Sequence, residues 1–297
     1  MEKVGRILHH GDSGADVLLV KKELFAKGYY PPSVKEIKSD RWGADTDKAV
    51  ENFRSRYIPQ GEINDVLWDA IFEAEPLPEA EIPPNIGLTA RTAIDHALQG
   101  ISARRKAMVL NALMFAWDPE QPSEYPYSFY IRAANLYDGV GSLHVMTKAR
   151  LDAYFAKSSY SQYFSNGRKE MMIKASEANG YTSSGADCSG GVVGLLRNAE
   201  LVKSGWDCSA DGFFKQTGSW SHVQPSEMIP GDLVHKSGHI GLYVGAGYTV
   251  SWEGGAYGCQ LIQVGKDLDQ KRRDFDFVSR SYKTLGAWEH FLHGKFY

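Results

Sequence analysis

The sequence predicts an α+β protein in two units, and three observations carry that prediction. Through the first two thirds of the chain the apolar residues recur at helical spacing. From 230 to 255, PGDLVHKSGHIGLYVGAGYTVSWEGG is β-branched, aromatic and punctuated by glycine, the pattern of short antiparallel strands. Between 73 and 84, EAEPLPEAEIPP holds four of the twelve prolines, which disfavours helix and strand alike and reads as an extended tether. Helices followed by strands, rather than alternating with them, give α+β.

Taken in order, residues 11–30 form the first helix. Ser13 and Asp16 stand in capping-box spacing, Val17, Val20 and Leu24 share one face, and Gly28 fits a C-terminal stop. Residues 43–57 form the second, with Asp45 or Thr46 as cap and Ala49, Val50, Phe53 and Tyr57 stacked. NDVLWDAIF, 64–72, is a third short helix, so residues 1–74 read as a small three-helix unit. Residues 75–87 are the linker, and 88–297 the second unit, whose first part, 88–165, is a helical and aromatic-rich extension. Within it, 89–117 suggests two helices broken near Gly100. The aromatic load of YPYSFYIRAANLY and YFAKSSYSQYF is read first as packing, with a wall for a sugar or peptide as the alternative. Residues 168–180 give one more helix, closed by Gly180.

Composition excludes several classes. With a net charge of −3 and no basic stretch, the chain lacks the electrostatic footprint of a nucleic-acid binder. AMVLNALMFAW is too short to span a bilayer, so no stable membrane insertion is expected. MEKVGRILHHGDSG has no apolar h-region, and synthesis in the cytoplasm without a signal peptide is expected. Cys188, Cys208 and Cys259 lack CxxC spacing; no disulfide framework, metal or cofactor is expected. His9 with His10, and His290 with His293, have no carboxylate completing a metal set and read as surface or packing residues. The chain is expected to be a monomer.

The chemistry centres on GADCSGGVVGLL, 185–196. Val192, Val193, Leu195, Leu196 and Ala199 have helical spacing, so Cys188 falls in the first turn, where free amides and the macrodipole favour a thiolate. Ser189, Gly190 and Gly191 would keep the approach open and leave amides for an oxyanion. In GHIGLYVG, His239, Gly241 and Tyr243 leave one strand face and Ile240, Leu242 and Val244 the other. The next strand, YTVSWE, sends Thr249, Ser251 and Glu253 to one face, which offers a polar partner for the imidazole. Glu253 is preferred because a carboxylate orients and stabilises an imidazolium better than the Ser251 hydroxyl, which stays the alternative. His235, four residues before His239, is a candidate for lining the cleft, and Cys208 and Cys259 are read as structural.

Two resemblances organise these readings. Leu8, Gly11, Asp12, Ser13, Gly14, Asp16, Val17, Leu24, Gly28, Tyr29, Gly43, Thr46, Ala49, Val50, Phe53 and Trp68 follow the pattern of the peptidoglycan-binding domain found beside many cell-wall hydrolases. GDSG also matches the nucleophile motif of chymotrypsin-like proteases, but only ten residues precede Gly11, too few for the strands that carry the partner His and Asp. DCSGG, PGDLVH, GHIGLYVGAG and EGGAYG, in that order over about 75 residues, resemble the NlpC-type cell-wall cysteine peptidases, whose fold is papain-like. That resemblance implies Cys188 as nucleophile, His239 as base and then acid, and Asp187 and Ser189 as supports of the nucleophile turn; Ser251 takes the third position without a gap. The family's tyrosine about twelve residues before the nucleophile is replaced here by Ser176, with Tyr181 nearby; Tyr181 and Trp252 are further candidates for substrate contact or support.

The implied activity is peptidoglycan hydrolysis, by cleavage of a stem-peptide amide after γ-D-glutamate and before diaminopimelate or lysine. An N-acetylmuramoyl-L-alanine amidase and a non-catalytic wall-binding protein are the alternatives. The partner is bacterial peptidoglycan, reached after release by a holin or another secretion route, as in a phage endolysin.

Overall fold

The computed structural model describes residues 8–30, 34, 36–57 and 81–295, and side chains within 51–57 only at Phe53. It divides into two compact units, Met1–Ala80 and Glu81–Tyr297. The Tyr57 side chain, the expected third helix at 64–72 with Trp68, and the first part of the linker lie outside what the structure describes.

In the first unit α1 (Ala15–Ala26) packs on α2 (Ala44–Tyr57). Val17, Val20 and Leu24 from α1 meet Ala49, Val50 and Phe53 from α2, with Leu8, Tyr29 and Trp42 closing the cluster. The capping differs from expectation. Ser13 is bridged to Arg41, so α1 starts at Ala15 behind Gly14, and no side-chain cap forms there. Neither Asp45 nor Thr46 stands before α2; both lie inside its first turn, where Thr46 Oγ1 is 2.7 Å from the Tyr30 hydroxyl and Asp47 accepts a hydrogen bond from Trp42 Nε1 at 2.7 Å.

The second unit is mixed α and β with antiparallel pairing in its main sheet. Helices α3 (Leu88–Ala97) and α4 (Ala103–Phe115) break around Gly100, whose φ of 74° is left-handed. After the short strand β1 (Ser128–Tyr130) come α5 (Lys148–Phe155), α6 (Ser161–Phe164) and α7 (Arg168–Ala178). Strand β2 (Ser184–Ala186) pairs with β1 in parallel and leads into α8 (Cys188–Asn198), followed by α9 (Ala210–Lys215). The main sheet comprises β3 (Trp220–His222), β4 (Leu233–Lys236), β5 (His239–Gly245), β6 (Tyr248–Glu253), β7 (Gly258–Gln263) and β10 (His290–Gly294), in the order β3-β10-β4-β5-β6-β7. A separate hairpin, β8 (Arg273–Asp276) with β9 (Ser281–Thr284), lies between β7 and β10 in the chain.

Both faces of the sheet are covered. On one, Val192, Val193 and Leu196 of α8 pack on Ile240, Leu242 and Val250, together with Val109 and Leu113 of α4. On the other, Val234, Tyr243 and Ile262 pack with Val264, Leu268 and Trp288. The face of β6 that carries Thr249, Ser251 and Glu253 is therefore buried instead of solvated, and every residue of β5 and β6 is buried.

Residues 81–87, expected as the end of the tether, belong to this unit. Ile82 and Ile86 are in its core, and Asn85 Nδ2 donates to the carbonyls of Leu113 and Ala116 at 2.9 and 2.8 Å. Two apolar side chains four apart overrode the proline and glutamate composition. Likewise α3 and α4 are integral to the core rather than an appended extension. The aromatics of 125–164 mostly pack on one another, as in Tyr154 against Phe164 (5.5 Å between centroids). Among the described residues no helix is long and apolar enough to cross a membrane.

Candidate functional site

Strand β2 delivers the chain to Asp187, the N-cap of α8. Its Oδ1 accepts from the Gly190 amide (2.8 Å) and the Ser189 hydroxyl (3.1 Å), and Oδ2 accepts from the Ala133 amide (2.9 Å). One carboxylate thus ties the helix start to the 131–134 turn. The glycines have a different purpose from the one expected. A Cβ at Gly190 would collide with the Ala134 carbonyl, at Gly191 with the Trp252 ring and at Gly194 with the Tyr137 backbone. Small residues let two segments close on α8, and the Gly190 and Gly191 amides are already bonded to Asp187.

Cys188 is 8% exposed, and its thiol donates to the Gly238 carbonyl at a sulfur–oxygen distance of 3.8 Å. The amides of Ile240 and Ser189 bond to the sulfur. The nucleophile candidate therefore lies against the main chain on both sides of His239. Burial, together with Asp187 and Glu253 and against those two amides, pushes the thiol up to about 12. This corrects the expected resting thiolate: at this helix start, desolvation and a capping carboxylate outweigh the dipole.

His239 opens β5 after the Ser237-Gly238 turn, where Gly238 has φ 73°. Leu242 pairs with Val250, and continuing that register sets Glu253 opposite His239. Glu253 Oε1 is 2.5 Å from His239 Nε2, an ion-pair contact. Ser251 Oγ donates to the same Glu253 oxygen at 3.3 Å, so the two residues weighed for the third position act together, the hydroxyl behind the carboxylate. Arg272 Nη1 also ion-pairs with Glu253. Burial opposes ionisation of Glu253; the charges of His239 and Arg272 outweigh it and lower its carboxyl to about 2.

Three candidates sit elsewhere. His235 pairs with Ile240, and not with His239, in the β4–β5 register, so its ring leaves the opposite face. It is buried, its Nε2 is 3.0 Å from Asp211 Oδ1 and it stacks on Phe214 at 5.0 Å, so it does not line a cleft. The same Asp211 oxygen accepts from the Gly238 amide (2.8 Å), which ties His235 to the turn before His239. Trp252 is 1% exposed, packs against Gly191 and donates to Ser128 Oγ at 2.8 Å; it backs α8 and is out of reach of a ligand. Tyr181 joins the aromatic cluster of α5–α7. The tyrosine beside Cys188 is Tyr130 of β1, whose hydroxyl is raised by burial and then by Cys188 and Asp187. Arg132, half exposed, lies 3.9 Å from Asp187.

Sequence reasoning missed Tyr130, Asp211 and Arg272, which no local motif marks. It also missed Asp274, fully buried, with neither carboxylate oxygen hydrogen-bonded among the described residues. Burial and the neighbouring Glu253 charge raise its carboxyl to about 8, against Arg272 and Lys236. A carboxyl raised on folding contributes stability at low pH that is lost as pH rises from about 4 through about 8. Asp274→Asn removes that titration. The melting-temperature difference between Asp274→Asn and wild type should therefore be several degrees more positive at pH 9 than at pH 5, measured by circular dichroism.

No protein-family model, no curated protein and no solved structure matches the chain.

Proposed function

We propose that the chain is a peptidoglycan hydrolase: a papain-like, NlpC-type cysteine peptidase with an N-terminal three-helix peptidoglycan-binding unit. What supports this reading is a helix-start thiol set against the main chain on either side of a strand histidine that ion-pairs with a carboxylate. Cys188 lies against the Gly238 carbonyl and Ile240 amide, and Glu253 lies 2.5 Å from the ring between them.

A thiol held at about 12 does not attack as a standing thiolate. In this reading His239 removes the thiol proton as the sulfur adds to the scissile carbonyl, and Glu253 stabilises the imidazolium that forms. The tetrahedral intermediate collapses, the C–N bond breaks, and His239 returns the proton to the leaving amine. Water, deprotonated by the same imidazole, then opens the thioester and releases the carboxylic acid and the free thiol. The His239–Glu253 ion pair, next to the main chain that Cys188 touches, supports an enzyme over a wall-binding protein with a decayed site.

Cleavage between γ-D-glutamate and the third stem residue is the bond proposed, and release from a phage-infected cell the setting. Digestion of walls of known chemotype, followed by mass spectrometry, tests the bond. A new amino terminus on the third stem residue is expected; free lactyl carboxylate with intact stem peptides would assign the amidase instead.

A further inference from the structure

Both ends of the β8–β9 hairpin converge on the His239–Glu253 pair. Arg272 immediately precedes β8, Trp288 follows β9, and the hairpin base is closed by the Leu285 amide donating to the Arg272 carbonyl at 2.8 Å. The Trp288 ring stacks on the His239 imidazole, with centroids 5.4 Å apart and planes 8° from parallel. The Arg272 guanidinium lies over the same indole, 4.3 Å from its centroid. Arg272 Nη1 ion-pairs with Glu253, and Nε donates to the Gly286 carbonyl at 2.9 Å.

The contacts close a ring: His239 to Glu253, Glu253 to Arg272, Arg272 to Trp288, Trp288 back to His239. Arg272 is completely buried and Trp288 is 4% exposed, so neither group is held by solvent. A buried guanidinium is costly unless it is paired, and here its pairing is spent on the carboxylate that touches the imidazole. Gly241 fits the same design. It shares the His239 face of β5, and a Cβ there would lie 3.1 Å from both Trp288 Cη2 and Ser251 Cβ. A side chain there would press on the indole, on Ser251 and on the Val250 carbonyl, 3.0 Å away.

We infer that the base of the β8–β9 hairpin is a positioning device for the general base, in which Arg272 holds Glu253 against His239 Nε2 and Trp288 holds the flat of the ring. An imidazole fixed at edge and face keeps one orientation, and misplacement by about 1 Å costs on the order of 10²-fold in rate. The inference rests on the reading of His239 as the base for Cys188, and not on which bond is cut.

Full-length wild type, Arg272→Met, Arg272→Lys, Trp288→Leu and Trp288→Phe, each shown to be folded by circular dichroism, are treated with iodoacetamide at pH 7, and labelling of the Cys188 peptide is followed by mass spectrometry. His239→Ala defines the rate without the imidazole. Arg272→Met and Trp288→Leu should label about 10-fold more slowly or worse, approaching His239→Ala. Trp288→Phe, which keeps a stacked ring, should stay within about 3-fold of wild type, and Arg272→Lys should recover part of the loss. With a soluble muropeptide the same losses should fall on kcat, with KM within about 2-fold. Folded Arg272→Met and Trp288→Leu that label at the wild-type rate overturn the inference, as does a loss confined to KM; should Arg272→Met fail to fold, the Trp288 pair decides alone. Labelling requires no wall substrate, so failure to cut any stem peptide alongside the expected labelling pattern refutes the hydrolase reading and leaves the brace standing.

Discussion

Cys188→Ala should abolish cleavage of purified walls and soluble muropeptides, by about 10³-fold or more in kcat/KM, while the protein stays folded. The thiol is one of the smaller groups in its core, and alanine removes a long sulfur–oxygen contact of 3.8 Å and the bonds of the Ile240 and Ser189 amides to the sulfur, without leaving a buried charge unpaired. The size of the loss follows from the ionisation of the sulfur. Burial raises the thiol well above its usual value, so the sulfur rests protonated at pH 7. Uptake of the proton by His239 during attack therefore supplies most of the rate, and His239→Ala should lose nearly as much as Cys188→Ala. Initial rates on a defined muropeptide, with melting curves as the folding control, check both. Retention of wild-type activity by Cys188→Ala would remove the sulfur from the mechanism.

Glu253→Gln should lower kcat by about 10²-fold or more and also change how stability depends on pH. The amide keeps the shape but cannot stabilise an imidazolium, and it leaves the buried Arg272 guanidinium without its anion. The carboxyl is depressed to about 2 in the folded state from its usual 4.5. A depressed acid contributes stability that is fully present above about 4.5 and is lost as pH falls through about 2. Wild type should accordingly lose stability across that window, whereas Glu253→Gln should be less stable at neutral pH and lose less on acidification between pH 4.5 and 2. Melting temperatures of both proteins along a pH series give the comparison. Parallel curves would mean that the Glu253 charge is not coupled to folding.

The parts of the molecule that were legible are those whose signal is local. Alternation along β5 and β6 correctly separates His239, Ser251 and Glu253 from Ile240, Leu242 and Val250, because period-two patterning is a property of the strand itself. The start of α8 at Cys188 is likewise written in the spacing of Val192, Val193 and Leu196. What covers a face is not local. Nothing near Glu253 announces that a hairpin about twenty residues later brings Arg272 to it, or that Trp288 lies on His239. The same limit explains the misread glycines: Gly190 and Gly191 look like an open approach until Ala134 and Trp252, remote in sequence, are found against them. His235 was misplaced because spacing along one strand omits the turn; the Lys236–His239 pairing reverses the chain and sends His235 to the other face. At Ile82 and Ile86, composition favoured a tether while two buried side chains decided for the fold. The expected thiolate failed for an electrostatic reason, since the helix start offers a partial positive charge but its cap Asp187 brings a full negative one.

The account centres on a covalent thioester at Cys188, and partitioning between nucleophiles tests it most directly. When wild-type protein cleaves a defined muropeptide in the presence of increasing hydroxylamine, a thioester divides between water and the added nucleophile whichever step limits the rate. Mass spectrometry should then show a hydroxamate on the carboxyl side of the cut bond, rising with hydroxylamine concentration at the expense of the acid, and none with Cys188→Ala. Cleavage that yields only the carboxylic acid at every hydroxylamine concentration would contradict an acyl-enzyme on this sulfur.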